Sequence, residues 1–149
     1  MPESSYALAV KKLSVRAYGT EEMRLLLKRA GHDSAEVTET IKKLLTKGYL
    51  NDERLAETLY AYFIEHKPCG PVLLKNKLLQ KGLSENIITR TLAGYDDEME
   101  IQLATLLTKK YLLHSKPGAD ALARFLLRKG FRRNIIIKIL NTHGLTGDI

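Results

Sequence analysis

Residues 70–82 read GPVLLKNKLLQKG, and the twelve-residue interval between Gly70 and Gly82 sets the frame for the whole chain. Pro71 opens a helix well, because its missing amide hydrogen falls where no helical bond would be made. Leu74 and Leu78 lie four apart and share one helical face, and Gly82 suits the left-handed position that closes a helix. The same frame recurs on both sides, as GTEEMRLLLKRAG at 19–31 and GADALARFLLRKG at 118–130. Gly19, Gly70 and Gly118 open the three stretches; Gly31, Gly82 and Gly130 close them. Met23, Leu74 and Leu122 stand eight positions before the closing glycines, and Leu27, Leu78 and Leu126 stand four before them. Such a repeat decides the fold ahead of any local propensity.

Each closing glycine is followed by another helical pattern: DSAEVTETIKKLL, SENIITRTL and RRNIIIKIL. Val37, Ile41 and Leu44 mark its apolar face in the first copy, Ile87, Ile88 and Leu92 in the second, and Ile135, Ile136 and Leu140 in the third. Asp33 with Glu36 has capping-box spacing and Ser84 can cap the second copy. The third copy starts instead on Arg132 and Arg133, which oppose the positive end of a helix dipole and so suggest binding. A further helix opens each unit. DERLAETLYAYFIEH places Leu55, Leu59 and Phe63 on one face beside Ala56 and Tyr60, and DDEMEIQLATLLTKKYLLH does the same with Met99, Leu103, Leu107 and Tyr111. The first copy, SYALAVKKLS, carries Tyr6, Ala9, Val10 and Leu13 at helical intervals. No strand pattern competes with these periods. The expectation is an all-α chain of nine helices, arranged as three tandem three-helix, helix-turn-helix-like repeats in an elongated, curved array. The repeats are expected at 1–51, 52–95 and 96–149, with Tyr49 and Tyr95 as junction residues packing one repeat on the next.

The chain has 149 residues, 44% apolar and 28% charged, with 24 Lys and Arg against 17 Asp and Glu, a formal charge of +7. This composition is that of a globular protein, and no apolar run approaches the ~20 residues needed to cross a bilayer. The start, MPESSYALAVKK, lacks the pattern of a secretory signal, and the single Cys69 has no partner for an internal disulfide, so a cytoplasmic protein with no membrane contact is expected. The positive charge is uneven. From Lys109 to Lys138 nine bases face the single acid Asp120. Such density predicts phosphate or acidic-surface contact through Arg124, Arg128, Lys129, Arg132 and Arg133, with Lys109 and Lys110 nearby and Lys75, Lys77 and Lys81 as a secondary row. Arg24, Lys28 and Arg29 are weaker candidates, since Glu21 and Glu22 can pair with them. No aromatic platform is interleaved with these bases, so contact to a nucleic-acid backbone without sequence preference is expected, not base readout.

No catalytic constellation stands out. The chain has no GxxxxGK[ST], GxGxxG, HExxH or GxSxG motif and no cysteine pair. His32, His66, His114 and His143 are dispersed at turns and helix ends, where capping is their simplest role. Cys69 has only Lys67 beside it to favour a thiolate. Neither enzyme activity, metal nor cofactor is expected.

The segment Gly48-Tyr49-Leu50-Asn51-Asp52-Glu53-Arg54-Leu55-Ala56, followed in order by Cys69-Gly70-Pro71 and Lys81-Gly82-Leu83, resembles the signature of the RecX family over about residues 5–141. That resemblance implies a non-enzymatic regulator that lies in the helical groove of the filament formed by the RecA recombinase on single-stranded DNA; the regulator itself is expected to be a monomer. It implies inhibition of recombinase ATPase, strand exchange and coprotease function, and hence an influence on recombination, DNA repair and the SOS response. Free DNA binding is also implied. The residues alone leave a second reading open, a stand-alone DNA-binding protein with tandem helix-turn-helix-like units.

Overall fold

A computed structural model describes residues 3–145; the outer limits of the first and third expected repeats, at 1 and 149, lie outside that range. Among the described residues there are nine α-helices and no strand, so the all-α expectation holds. They are α1 (Ser5–Leu13), α2 (Thr20–Arg29), α3 (Ser34–Thr46), α4 (Asp52–His66), α5 (Pro71–Gln80), α6 (Glu85–Thr91), α7 (Asp97–His114), α8 (Ala119–Arg128) and α9 (Arg133–Thr142), with a single 3-10 turn at Leu92–Gly94. The described residues group into two compact units. One runs to Leu59 and takes in Leu78–Ile88; the other comprises Tyr60–Lys77 and the described residues from Thr89 onward.

In the first unit α1, α2 and α3 pack on one another around Ala9, Met23, Leu27, Val37, Ile41, Leu44 and Leu50. In the second, α7, α8 and α9 do so around Ala104, Leu122, Leu126, Phe131, Ile135, Ile136, Ile139 and Leu140. Burial of these side chains is the main term favouring the fold, roughly 1.5–3 kcal/mol for each large one. Two faces differ from the sequence-based reading. Val10 is 38% exposed, and the buried side of α1 is instead Ser5 and Ala9. Ser5 is held there because its hydroxyl bonds that of Thr40 and its amide donates to Glu36 Oε1 at 3.0 Å. On α7 the fully buried stripe is Glu100, Ala104 and Thr108, one position beyond the expected Met99, Leu103, Leu107 and Tyr111, which are half-buried. Short side chains at 104 and 108 admit close packing on that face, and Glu100 has a charged partner there. Tyr49 is a further correction, at 53% exposed; its neighbour Leu50 is the residue that enters the core.

The closing glycines behave alike in all three copies. Gly31, Gly82 and Gly130 have φ of 97°, 80° and 88°, and the next amide in each case bonds back across the last turn: His32 to Leu27 O, Leu83 to Leu78 O and Phe131 to Leu126 O. This double-bonded ending satisfies carbonyls that a helix end leaves open. At the starts, Asp33 accepts from Glu36 N at 2.8 Å, Ser84 from Ile87 N at 3.3 Å and Asp96 from Met99 N at 2.9 Å. The expected capping box at Asp33 is only half made, because the Glu36 carboxylate turns to Ser5.

The opening glycines do something local pattern does not reveal. In the second unit the end of α8 abuts the start of α5: Gly70 N donates to Lys129 O at 2.7 Å and Val72 N to Gly130 O at 3.1 Å. A methyl group at Gly70 would overlap the Gly130 carbonyl, and one at Gly130 would overlap the Leu73 backbone. In the first unit the end of α5 also approaches the start of α2, where a side chain at Gly19 would lie 2.8 Å from Lys81 O and one at Gly82 would lie 3.2 Å from Glu21 Cβ, but the amides there turn elsewhere, Gly19 N to Glu22 Oε1 and Thr20 N to Asp52 Oδ1. In the second unit a carbonyl-rich helix end thus meets an amide-rich helix start, and groups that each end leaves open are paired.

Two expected outcomes follow from these contacts. Gly70→Ala and Gly130→Ala should each lower the unfolding free energy by about 2 kcal/mol or more in urea titration, whereas Gly118→Ala, which meets open space, should stay within ~0.5 kcal/mol. Equal, small effects at all three would contradict the end-to-end contact. The bond from the Ser5 amide holds the Glu36 carboxyl below the usual Glu range, with His32 adding to it. A lowered carboxylate pKa adds stability above its unfolded value that is lost as pH falls from ~4.3 through the lower folded value. Glu36→Gln should therefore flatten the acid limb of stability against pH.

Candidate nucleic-acid interface

Helix α8 is strongly two-sided. Leu122 and Leu126 are buried, Ala119, Ala123 and Phe125 are partly buried, and Arg124 and Arg128 stand on the opposite side in solvent. Two residues further in sequence is about 200° around a helix, which is why Leu122 and Arg124 face apart. After Gly130 the chain enters α9, and Arg133 is its first residue. Between α8 and α9 lies a groove of about 280 Å³ in which Arg124 and Arg133 stand with Asp120 beside Leu127 and Ile137, the latter two 57% and 42% exposed. Among the described residues, Arg124, Arg128 and Arg133 enter no ion pair.

Arg132 corrects the sequence-based site. It stands at the N-cap of α9, and its guanidinium is occupied internally: Nε donates to Glu100 Oε1 at 2.8 Å and Nη2 bonds Asp97 and, at 2.7 Å, Glu100. Its backbone amide donates to Glu100 Oε2 at 2.8 Å. Glu100 is fully buried, and these bonds hold the Arg132 guanidinium well above its ordinary pKa, Glu100 contributing first and Asp97 second. A buried carboxylate needs such a partner, because burying it unpaired is far costlier than burying a neutral group. The basic start of α9, unfavourable in isolation, is explained at this position by Glu100 capping the helix from α7.

The lysines divide differently from the sequence-based rows. Lys77, Lys110 and Lys129 come together in a cleft of about 340 Å³ in the second unit, joined by His66 and Lys67, which sequence reasoning left out. These residues belong to separate segments, the end of α4, α5, α7 and the cap of α8, so no spacing in the chain could have grouped them. Lys109 and Lys75 are exposed and line neither cavity. Lys81 belongs to the first unit, where its charge helps to lower the Glu22 carboxyl after Arg16 has outweighed the effect of burial. There Arg24 pairs with Glu21 at 3.0 Å, as expected, while Glu22 binds Arg16 at 3.1 Å.

Cys69 is 2% exposed, and burial raises its thiol pKa against the smaller pull of Lys77 and Lys129. Its carbonyl accepts the Tyr95 hydroxyl at 2.7 Å, and burial pushes the Tyr95 phenol far up. Both are arrangements of packing, since a reactive cysteine needs an exposed, lowered thiol.

These features define a class: an all-helical protein of compact helix triplets, closed by glycine-cornered turns and carrying unpaired cations on its second unit. No protein-family model matches the chain. The chain is 31% identical over 139 residues to the regulatory protein RecX of Bacillus cytotoxicus, covering 90% of this chain and 52% of that protein. It is 26% identical to the protein of the same name from Oceanobacillus iheyensis, covering 97% and 55%. In three dimensions it matches the crystal structure of RecX from Lactobacillus salivarius with a TM-score of 0.82 and 25% identity, over 95% of this chain and 96% of that one. The chain is thus similar to RecX proteins along nearly its whole length, in sequence and in fold. It spans about half the length of the curated relatives it matches.

The Arg132 network carries its own expectation. Arg132→Ala should lower the unfolding free energy by about 2–4 kcal/mol, below the limit for a fully buried pair because Arg132 keeps one edge in water. Arg128→Ala should change it by less than ~0.5 kcal/mol. Denaturant titration of the two variants checks the contrast, and a neutral Arg132→Ala would mean that Glu100 does not depend on it.

Proposed function

We propose that this chain is a regulator that binds the filament of the RecA recombinase on single-stranded DNA and restrains its ATPase, strand-exchange and coprotease activities, acting by occupancy and not by catalysis. In the cell this makes it a cytoplasmic modulator of recombination, DNA repair and the SOS response. Similarity to RecX proteins over nearly the whole chain is the observation that carries the reading. The unpaired Arg124, Arg128 and Arg133 support it, since such side chains are suited to phosphate or acidic protein surface and their long-range attraction speeds encounter with a large anion. The contact set is Arg124, Arg128, Lys129 and Arg133, with Lys109, Lys110, Lys75, Lys77 and Lys81 in support and Arg132 reserved for the fold. Contact is to the DNA backbone without sequence preference, made by a monomer carrying three repeats.

The test is recombinase ATP turnover on excess single-stranded DNA, titrated with this chain. Inhibition is expected with the natural sequence. A variant carrying Arg124→Glu, Arg128→Glu and Arg133→Glu should need roughly tenfold more protein for the same effect while keeping its helical content. Its DNA affinity should also depend less on salt, the slope of log affinity against log salt falling by ~0.7 for each single-strand phosphate contact removed. Unchanged inhibition by the variant would reject the arginine site. No inhibition by the natural chain would reject the filament reading and favour stand-alone DNA binding.

A further inference from the structure

The lysine cleft of the second unit is a concentration of like charge that the fold maintains. Lys67, Lys77, Lys110 and Lys129 line one cavity of about 340 Å³ with His66, and no carboxylate is part of its lining. Glu65 reaches His66 at 3.8 Å, and that contact is the only ion pair recorded for any of these five residues among those described. Solvated lysines on helices ordinarily alternate with acids at short spacing, which lowers their mutual repulsion. Here four lysines from four separate segments line one cleft without that relief. An anion is the missing complement.

Two of the lysines are also held in place. Lys77 Nζ sits 4.9 Å from the centre of the Phe63 ring and Lys129 Nζ sits 5.9 Å from that of Phe125, within the range where a cation is attracted to a ring face. Phe125 is itself stacked on Tyr111 at 4.3 Å. The backbone of Lys129 is pinned by the Gly70 amide on its carbonyl. Such restraint lowers the entropy lost when the ammonium groups close on a ligand. Lysine presents a compact charge with three donors, which suits the several oxygens of a phosphate better than a flat carboxylate pair. Four such groups call for more charge than one phosphate carries.

We infer that the cleft formed by Lys67, Lys77, Lys110 and Lys129 is a binding site for an oligophosphate, a ligand presenting two or more consecutive phosphate groups. The cleft shares no lining residue with the arginine groove between α8 and α9, but Lys77, Lys110 and Lys129 belong to the contact set proposed above, so for a nucleic-acid ligand the inference rests on that reading, while for a soluble oligophosphate it does not. Its ligand comes from one of two sources, a soluble polyphosphate or successive phosphates of a nucleic-acid backbone.

Calorimetric titration of the full chain in dilute buffer, with inorganic tripolyphosphate and separately with a single-stranded oligothymidylate, tests this. Tripolyphosphate should bind the natural chain, and K77Q/K129Q should weaken it at least ~10-fold, whereas R124Q/R133Q should leave it unchanged. If the oligothymidylate loses affinity in K77Q/K129Q by a similar factor, backbone phosphates are the natural source. If it does not, the source is soluble. Should K77Q/K129Q prove unfolded by circular dichroism, K67Q/K110Q serves in its place. Absence of tripolyphosphate binding, equal binding by the lysine variants, or equal loss in R124Q/R133Q would overturn the assignment. The recombinase assay uses a different partner and a different readout, so either proposal can fail while the other stands.

Discussion

The structure depends on the absence of a side chain where one helix end meets another helix start. At Gly70 and Gly130 the two backbones approach so closely that carbonyls of the α8 ending accept amides of the α5 opening, and a single methyl group would push them apart. The contact does three things together. It pairs polar groups that helix ends otherwise leave open, it aligns two helix dipoles, and it holds Lys129 where α5 and α7 also present lysines. The first unit has a close approach at the equivalent positions, Gly82 and Gly19, with the amides of the α2 opening bonded instead to Glu22 and Asp52. The twelve-residue glycine interval marks both ends of a helix, and Gly19, Gly70, Gly82 and Gly130 also stand where helix ends approach, whereas Gly31 and Gly118 meet open space.

The charges sort into two kinds according to what lies behind them. Arg132 faces a fully buried carboxylate, and its worth lies in keeping Glu100 paired and the start of α9 capped. Arg124, Arg128 and Arg133 have no such partner among the described residues and remain open to an external anion. Adjacent arginines at 132 and 133 thus serve opposite ends, one turned to the interior of its own unit and one to the solvent. The difference arises from Glu100, a residue more than thirty positions earlier, and from the close packing of α7 on α9 that Ala104 permits.

Much of the fold was legible because its signals are short-range. Pro71 at a helix start, the left-handed glycines and the apolar residues at intervals of three and four act within one or two turns, and the structure places helices where those patterns lie. The misread faces share a cause. Val10 on the face of α1 and Tyr49 at a repeat junction suggest packing because they are large and apolar or aromatic, yet Ser5 and Leu50 are the buried residues, and on α7 Glu100, Ala104 and Thr108 displace the larger stripe. Hydrophobicity ranks side chains by transfer to an apolar phase. It does not register that a serine with two partners, or a glutamate with an arginine, can be buried at low cost.

The sequence by itself determined the helical class, the glycine spacing that closes its helices, the family resemblance and the excess of positive charge in the last third, since each is a matter of residue type along the chain. Only the tertiary structure decided which cations are available and which keep company. Ion pairing and clustering depend on distance through space, and the partners concerned, Arg132 with Glu100, or Lys77 with Lys110 and Lys129, lie more than thirty residues apart with no periodic relation between them.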